Sequence, residues 1–273
     1  MVEILVRASK VYTGSEVLGE GYIYIRDGKI VALGEGPPPE DLTYPTILVG
    51  GAGRIAAPGL AVAADTAAYI VRMLRVGVED RLRLYSGLGL EASLLASLPA
   101  IYELHLHGVT SILVEFPSHQ LPLELSERVG GLYGLAVPSC WNRVLDEPPS
   151  RVIGVVDYDC RSRPGWLLEQ TPVYTPALLG KPWSNSISLR KRLGHEVLIK
   201  EGYTAEISIF DSSRPPGMLL HKHTLDLDGL YSLGLRVETL ISGEDIVVDG
   251  GEHLYIVDKH FKEAKNLASR VGV

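Results

Sequence analysis

Four polar side chains follow two predicted strands of this chain and could bind a substrate or a metal ion. Glu115 and His119 come at the end of one apolar run, and Asp157 and Asp159 follow another. Uninterrupted apolar runs predict buried parallel strands, and binding and catalytic groups lie at the carboxyl ends of such strands. Carboxylates and an imidazole at one such end could form a binding site or a weak metal site. The alternative is that these ends carry polar side chains because they reach solvent.

Two pairs of histidines have the spacing of metal ligands but lie in unfavourable places. His105 and His107 fall at the end of a predicted helix. Residues two apart on a helix do not face each other, and the helix dipole favours positively charged side chains near the C-terminus of the helix. His221 and His223 fall in a predicted surface loop, where adventitious metal binding is the alternative. We therefore expect no metal ligands among these four residues.

The two cysteines, Cys140 and Cys160, do not form a metal-spaced pair. We expect Cys140 to be a small buried side chain. A disulfide would require an oxidising compartment or an extreme thermophile. Few Cys and Met residues beside many Glu and Arg residues fit a thermophile.

Composition excludes several classes of function. The 273 residues carry a net charge of -7 with scattered basic residues, which argues against nucleic-acid binding. No apolar run reaches ~18 residues, so no membrane span is predicted, and the first residues do not resemble a signal peptide. We expect a cytoplasmic protein. Nucleophile-elbow, phosphate-loop and dinucleotide motifs do not occur.

Short strands dominate both ends of the chain. At the start, strands are predicted over 3–8, 21–26, 29–33, 46–49 and 54–57, with turns at Asp27–Gly28 and at Gly50–Gly53. Strands return over 205–210, 235–242 and 245–248, and an amphipathic helix is predicted over 258–271.

Helices alternate with strands in the middle. Asp65 is expected to cap a helix over 64–75, and a second helix over 88–107 is expected to kink at Pro99 and end at Gly108. Buried strands are predicted over 109–116, 132–137 and 152–156. This alternation favours a parallel sheet.

Six segments, in this order, resemble segments of the metal-dependent amidohydrolase superfamily, which includes proteins similar to dihydroorotase, imidazolonepropionase and nucleobase deaminases. They are the hairpin 26–34, the turn Pro58-Gly59-Leu60, the helix-to-strand step 108–114, the helix after the last barrel strand at 175–180, the return segment 202–211 and the hairpin 241–250. The resemblance covers both chain ends well and the middle in patches.

The resemblance implies an α/β fold with two domains. Residues 1–57 and 200–257 would form a composite small β domain, a sandwich built from both chain ends, and 258–273 a C-terminal helix. Residues 58–199 would form a shortened TIM-barrel-like domain. A complete barrel takes about 200 residues or more, whereas 58–180 has room for roughly four units of about 30 residues.

The resemblance also implies that the metal ligands are missing. In the family, the first barrel strand carries two histidines that grip a metal. Their positions fall on Ala64 and Thr66, and nothing over 117–180 resembles the family's later ligands. Asp65 lies between the two positions and would point away from both. We therefore expect no metal and no cofactor.

Three functions follow from this pattern. The first is an amidohydrolase-like protein without its hydrolytic site, in a structural, regulatory or oligomerising role, as a homodimer or with a dedicated partner that covers the open barrel edge. The second is a hydrolase of non-peptide C–N bonds in cyclic amides or amidines, with a site rebuilt from Glu115, His119, Asp157 and Asp159. The third is a small-molecule binding protein. Whether the protein is an enzyme stays open, and we lean towards a protein that is not.

Overall fold

The protein folds into a mixed α/β structure with two sheets. The computed structural model describes residues 2–66, 77–141, 147–162, 164–168, 174–213, 217–221 and 224–271. The strands of the larger sheet are β1 (Glu3–Tyr12), β2 (Val17–Leu18), β3 (Gly21–Arg26), β4 (Lys29–Glu35), β5 (Ile47–Pro58), β11 (Glu206–Asp211), β12 (Val237–Ser242), β13 (Asp245–Asp249) and β14 (Glu252–His253). The smaller sheet contains β6 (Leu60–Ala64), β7 (Val109–Glu115), β8 (Leu132–Pro138), β9 (Val152–Tyr158) and β10 (Leu167–Leu168).

The larger sheet joins both ends of the chain. Its order is β14-β13-β12-β11-β5-β1-β3-β4, and β2 pairs with β1. β5 lies at the centre, parallel to β1 and antiparallel to β11. The strands before and after the middle of the chain therefore meet along β5.

β5 corrects one sequence prediction. The strands expected over 46–49 and 54–57 are one strand, and the turn expected at Gly50–Gly53 is wrong. Gly50, Gly51 and Gly53 have positive φ, and a Cβ on Gly50 would lie 2.2 Å from the carbonyl oxygen of Arg7. These glycines let the strand bulge while it stays paired with β1.

The smaller sheet has the order β10-β6-β7-β8-β9 with parallel pairing throughout. Every residue of β6 and β7 is buried, as the apolar run predicts for β7. Among the described residues, β9 pairs only with β8 and β10 only with β6.

Five α-helices accompany the sheets over the described ranges. They are α1 (Val78–Leu106), α2 (Gln120–Arg128), α3 (Pro182–Leu193), α4 (Leu227–Ser232) and α5 (Asp258–Val271). The helix is not interrupted at Pro99, and its helical dihedral angles fail at Gly89 instead, with φ 74° and ψ 173°. Only a residue without a Cβ adopts that conformation readily. Gly108 has φ 85° and follows the end of α1, as predicted.

Two further helix predictions change. Ala64, expected to begin a helix, is the last residue of β6, and the rest of that segment, 67–76, lies outside the described residues. Segment 175–180 forms only a short 3-10 turn, and the α-helix begins after it at Pro182.

Helices cover both faces of the smaller sheet. Ala61 and Ala63 of β6 pack in one cluster with Leu189 of α3. Val62 and Ala64 belong to the cluster that contains the buried face of α1. Helices on both faces are typical of an open sheet, whereas the helices of a barrel form one outer ring.

α1 is long and apolar enough to cross a membrane by length and composition alone. Half of its apolar window is buried inside the protein, and Gly89 interrupts it. A core helix of a soluble protein passes the same test, so this is weak evidence for a span.

A buried ion pair links the two sheets. Arg190 of α3 donates two hydrogen bonds to Glu206 at the start of β11, at 2.7 and 3.0 Å, and a third to the carbonyl oxygen of Gly59. Thr110 and Ser111 of β7 donate to the same carboxylate at 2.7 and 2.6 Å. Burial raises the pKa of Glu206, but Arg190 and the two hydroxyl groups together lower it by more. The pKa of Glu206 therefore lies below its usual value. The carboxylate is therefore charged and fully engaged at the junction.

A buried histidine pair fixes β14 to α1. His105 Nδ1 lies 2.9 Å from His253 Nε2, and His253 Nδ1 accepts the backbone N–H groups of Tyr255 and Ile256. His253 must therefore carry its hydrogen on Nε2 and donate it to His105. His107 instead contacts the carbonyl oxygen of Glu103.

The histidine pair predicts a loss of stability in mild acid. Burial lowers the pKa of His253 from its usual 6.5 to about 4, with a smaller contribution from His260, and burial also lowers the pKa of His105 well below its usual value. The unfolded chain binds these protons more readily, so stability is full above about pH 6.5 and falls until about pH 4. His253 alone accounts for a loss on the order of 3 kcal/mol.

Urea unfolding between pH 7.5 and 4 measures this loss. The double variant His105→Leu, His253→Leu should show a flatter profile over the same range. An equal acid slope in both proteins would contradict the assignment.

Candidate functional site

A buried arginine holds two carboxylates at the carboxyl ends of β6 and β7. Arg81, near the start of α1, donates from Nε to Glu115 Oε1 at 2.7 Å and from Nη2 to Glu115 Oε2 at 3.2 Å. Its Nη1 lies 3.7 Å from Asp65 Oδ2. All three residues have no exposed surface. Charged groups removed from water in this way must be paired, and the bidentate geometry is the strong form of such a pair.

Two tyrosines complete the cluster. Tyr158, at the end of β9, donates to Glu115 Oε2. Tyr174 donates to Asp65 Oδ1 at 2.6 Å and contacts the backbone carbonyl of Asp65 at 3.1 Å. We call Asp65, Arg81, Glu115, Tyr158 and Tyr174 the strand-end cluster. It joins three strands of the smaller sheet to α1 and to the segment after β10.

The charges of the cluster affect a neighbouring phenol. Burial raises the pKa of Tyr85 well above its usual value, and the nearby charges of Glu115 and Asp65 raise it further. Tyr85 packs edge-on against Trp141 and tilted against Phe116. The surroundings of the cluster are therefore aromatic and dry, and Tyr85 stays protonated.

The two positions that the sequence resemblance assigns to metal ligands lie outside this cluster. Ala64 belongs to the apolar cluster on the α1 side, and Thr66 donates to Ser97 Oγ of α1 at 3.0 Å. Asp65 lies between them and faces Arg81 and Tyr174. Whether it also caps a helix concerns residues 67–76, which lie outside the described ranges. An alanine and a threonine turned towards α1 do not fit a metal centre, and the nearby carboxylates already hold a guanidinium.

Other candidate ligands do not assemble around a metal either. Over the described ranges, no group of three or more His, Cys, Asp or Glu side chains is placed to hold an ion. His105 contacts His253 in the buried pair that fixes β14. The side chains of His221 and His223 lie outside the described residues.

The four residues selected from the sequence separate into different environments. Glu115 is in the strand-end cluster, and His119 lies just before α2, partly buried. Asp157 and Asp159 are exposed. They line a cavity of about 410 Å³ together with Ser139, Tyr158, Ser162, Pro164, Trp166 and Arg192.

Tyr158 belongs to both environments, because its ring lines this cavity while its hydroxyl contacts Glu115. Asp159 also accepts the backbone N–H of Arg161 and the hydroxyl of Ser162. The cavity therefore has an acidic rim and one polar connection to the buried carboxylate.

A disulfide lies beside the cavity and corrects a sequence prediction. Cys140, expected as a small buried side chain, is half-buried and bonded to Cys160, with Cα atoms 6.0 Å apart. Each cysteine lies two residues beyond the end of its strand, β8 or β9, and these strands are neighbours. The equal offset becomes apparent only with the strand ends that the structure gives, Pro138 and Tyr158.

Arg81 and Tyr174 were not selected from the sequence. Arg81 lies in a segment rich in arginine, and nothing in its spacing separates it from Arg83, which is exposed and pairs with Asp80 at 3.7 Å. Only the packing of α1 across the strand ends identifies it.

Comparison with known proteins supports the fold. No protein-family model matches the chain, and no curated protein matches it by sequence. Solved structures of the amidohydrolase superfamily do resemble it. A triazine hydrolase from Arthobacter aurescens is 13% identical with a TM-score of 0.66, over 98% of this chain and 100% of that chain. An adenosine deaminase from Xanthomonas campestris with bound zinc is 12% identical with a TM-score of 0.69, over 99% and 98%.

Escherichia coli guanine deaminase is 11% identical with a TM-score of 0.65, over 91% of this chain and 99% of that chain. The structural similarity shows an amidohydrolase-like fold. Because the sequence identities are so low, the activity has to be argued from the site.

The strand-end cluster predicts a large cost for removing Arg81. Arg81→Met leaves two buried carboxylates without their cation, which costs about 3–5 kcal/mol in such cases. Adding Glu115→Gln in the same chain should recover part of this loss, because the two side chains are directly coupled. Urea unfolding of the wild type, both single variants and the double variant measures the coupling.

Arg128 supplies the matched control. It forms a bidentate pair with Glu91 on the surface, at 2.8 and 3.1 Å. Arg128→Met should cost no more than about 1 kcal/mol. Equal effects of the two substitutions would show that Arg81 does not hold buried charge.

Proposed function

We propose that this protein is an amidohydrolase-like protein that has lost the metal-dependent hydrolytic site and serves a structural, regulatory or oligomerising role. The observation that carries the proposal is Arg81 bound to Glu115 and close to Asp65. A fixed guanidinium supplies a positive charge at the strand ends but cannot activate a water as a metal ion does. The substitution of both histidine positions, Ala64 and Thr66, supports the same conclusion.

We further propose the domain division that the resemblance implies. Residues 1–57 and 200–257 would form the composite β domain, 58–199 a shortened barrel that has opened into a sheet, and 258–273 an accessory helix. The joint pairing of β5 with β1 and β11 supports the composite domain. The helices on both faces of the smaller sheet support an opened barrel.

The open edge of β9 is the proposed contact with a second copy of this chain or with a dedicated protein partner. Among the described residues β9 has a strand on one side only. An unpaired strand edge favours pairing with another chain unless it is covered. We propose a cytoplasmic location in an extreme thermophile, where the disulfide can persist.

Sedimentation velocity tests the association. Wild-type protein at micromolar concentration should sediment as a dimer, and Val155→Lys on β9 should shift it towards the monomer, because a charge on an edge strand opposes pairing. Val31→Lys, on the edge strand β4 of the larger sheet and 40% exposed before substitution, is the control and should leave the dimer intact. A wild-type monomer under these conditions would contradict the proposal.

The second candidate is a hydrolase of non-peptide C–N bonds, or a binding protein for small molecules, that uses the cavity at the end of β9. The cavity volume of about 410 Å³ lies within the usual range for ligand sites. Its acidic rim, Asp157 and Asp159, supplies the polar groups. The structural neighbours include deaminases and a triazine hydrolase, which favours C–N chemistry.

Adenosine, guanine and hydantoin, tested with and without added Zn²⁺, distinguish these candidates. Ammonia release or ring opening that Asp157→Asn abolishes would establish a hydrolase and overturn the first proposal. A thermal shift without turnover would indicate a binding protein. Our first proposal predicts neither result.

A further inference from the structure

A second cavity lies along the part of α1 that follows Gly89 and shares no residue with the strand-end cluster. It has a volume of about 480 Å³ and runs between α1, α2 and α5. Its apolar floor consists of Leu94, Leu98, Val129 and Ile256, all at most 7% exposed. Leu95 and Leu267 form the sides. We call this cavity the α1–α5 groove.

Most of the charged side chains around the groove are paired with one another. Arg128 is bound by Glu91 and by Glu124, each at 2.8 Å. Glu263 has Lys259 at 3.7 Å. Arg270 lines the same groove near the end of α5 and has no ion pair among the described residues. Each of these acids thus has a basic partner, two of them sharing Arg128, and Arg270 is available to an anionic ligand.

A hydrogen-bond donor lies at the opposite end of the groove. His260 accepts the backbone N–H of Val257 at Nδ1, so the neutral ring carries its hydrogen on Nε2. Ten residues of helix separate His260 from Arg270, a distance of ~15 Å along the axis. The groove is therefore long and apolar, with the guanidinium of Arg270 at one end and the ring of His260 at the other.

We propose that the α1–α5 groove binds a small amphipathic anion, a medium-chain carboxylate with its head group at Arg270 and its hydrocarbon chain along Leu95 and Leu98. The volume fits a small ligand, whereas a stable protein interface needs about 800 Å² on each partner. Burying the hydrocarbon chain supplies most of the affinity. Arg270 selects the carboxylate over a neutral head group.

Isothermal titration calorimetry with decanoate and decanol, both below the concentration at which they aggregate, tests this site. Decanoate should bind with one site per chain and decanol more weakly. Arg270→Gln should weaken decanoate by about fivefold, the upper range for an exposed ion pair, and leave decanol unchanged. Lys262→Gln removes the same charge from α5 at a residue that does not line the groove and should change neither affinity.

A second variant tests the location. Ala92 is a partly buried residue of the groove, and Ala92→Trp should abolish binding of both ligands while the far-ultraviolet circular dichroism stays native. The proposal is overturned if decanoate does not bind, if Ala92→Trp leaves its affinity unchanged, or if Arg270→Gln and Lys262→Gln have equal effects. If decanoate fails to bind and Ala92→Trp changes the sedimentation coefficient, the groove is a contact between copies of the chain.

Discussion

The smaller sheet depends on how two buried carboxylates are neutralised at its carboxyl ends. Asp65 and Glu115 have no exposed surface, and a charged group without a partner in that environment would strongly favour unfolding. Arg81 of α1 neutralises both carboxylates, with a bidentate hydrogen-bonded pair to Glu115 and a longer ion pair to Asp65. The start of α1 must therefore lie over the strand ends, where a barrel enzyme would keep its reaction centre.

Under the function that we propose, the same constraint explains how a fold that resembles metal-dependent enzymes could dispense with their ligands. A metal ion and a guanidinium both supply positive charge to carboxylates, but only the metal ion acts as a Lewis acid for water. Once Arg81 holds Glu115, nothing requires histidines on β6. Ala64 and Thr66 can then pack towards α1, where small side chains allow close contact. The second ionic centre, Arg190 with Glu206, supports the other end of the sheet by tying β7 and α3 to β11.

The sequence predicts much of this fold because its signals are local. The Asp27–Gly28 turn has positive φ at both residues, and the buried strands at 109, 132 and 152 begin where the apolar runs begin. Local signals mislead where tertiary pairing takes over. The glycines at 50–53 predict a turn, but pairing with β1 keeps them within one strand. Pro99 reads as a break, but the helix continues through it and breaks at Gly89 instead.

The site was harder to predict because its members are distant in sequence. Glu115 was selected since it ends a strand, but its partners come from α1 and β9, and no spacing rule links those positions. The sequence left the disulfide as one alternative, because the equal offsets of Cys140 and Cys160 depend on the observed strand ends and on the pairing of β8 with β9.

The metal content of the purified protein tests the central claim most directly. Protein prepared without chelators, equilibrated with excess Zn²⁺ and passed through a desalting column should contain far less than one metal ion per chain by inductively coupled plasma mass spectrometry. Since Arg81 already holds Glu115, Glu115→Gln should not change that amount. Stoichiometric zinc or iron in the wild type that is lost in Glu115→Gln would show that the strand-end carboxylates serve a metal, and it would contradict the role of Arg81 as their permanent counter-ion.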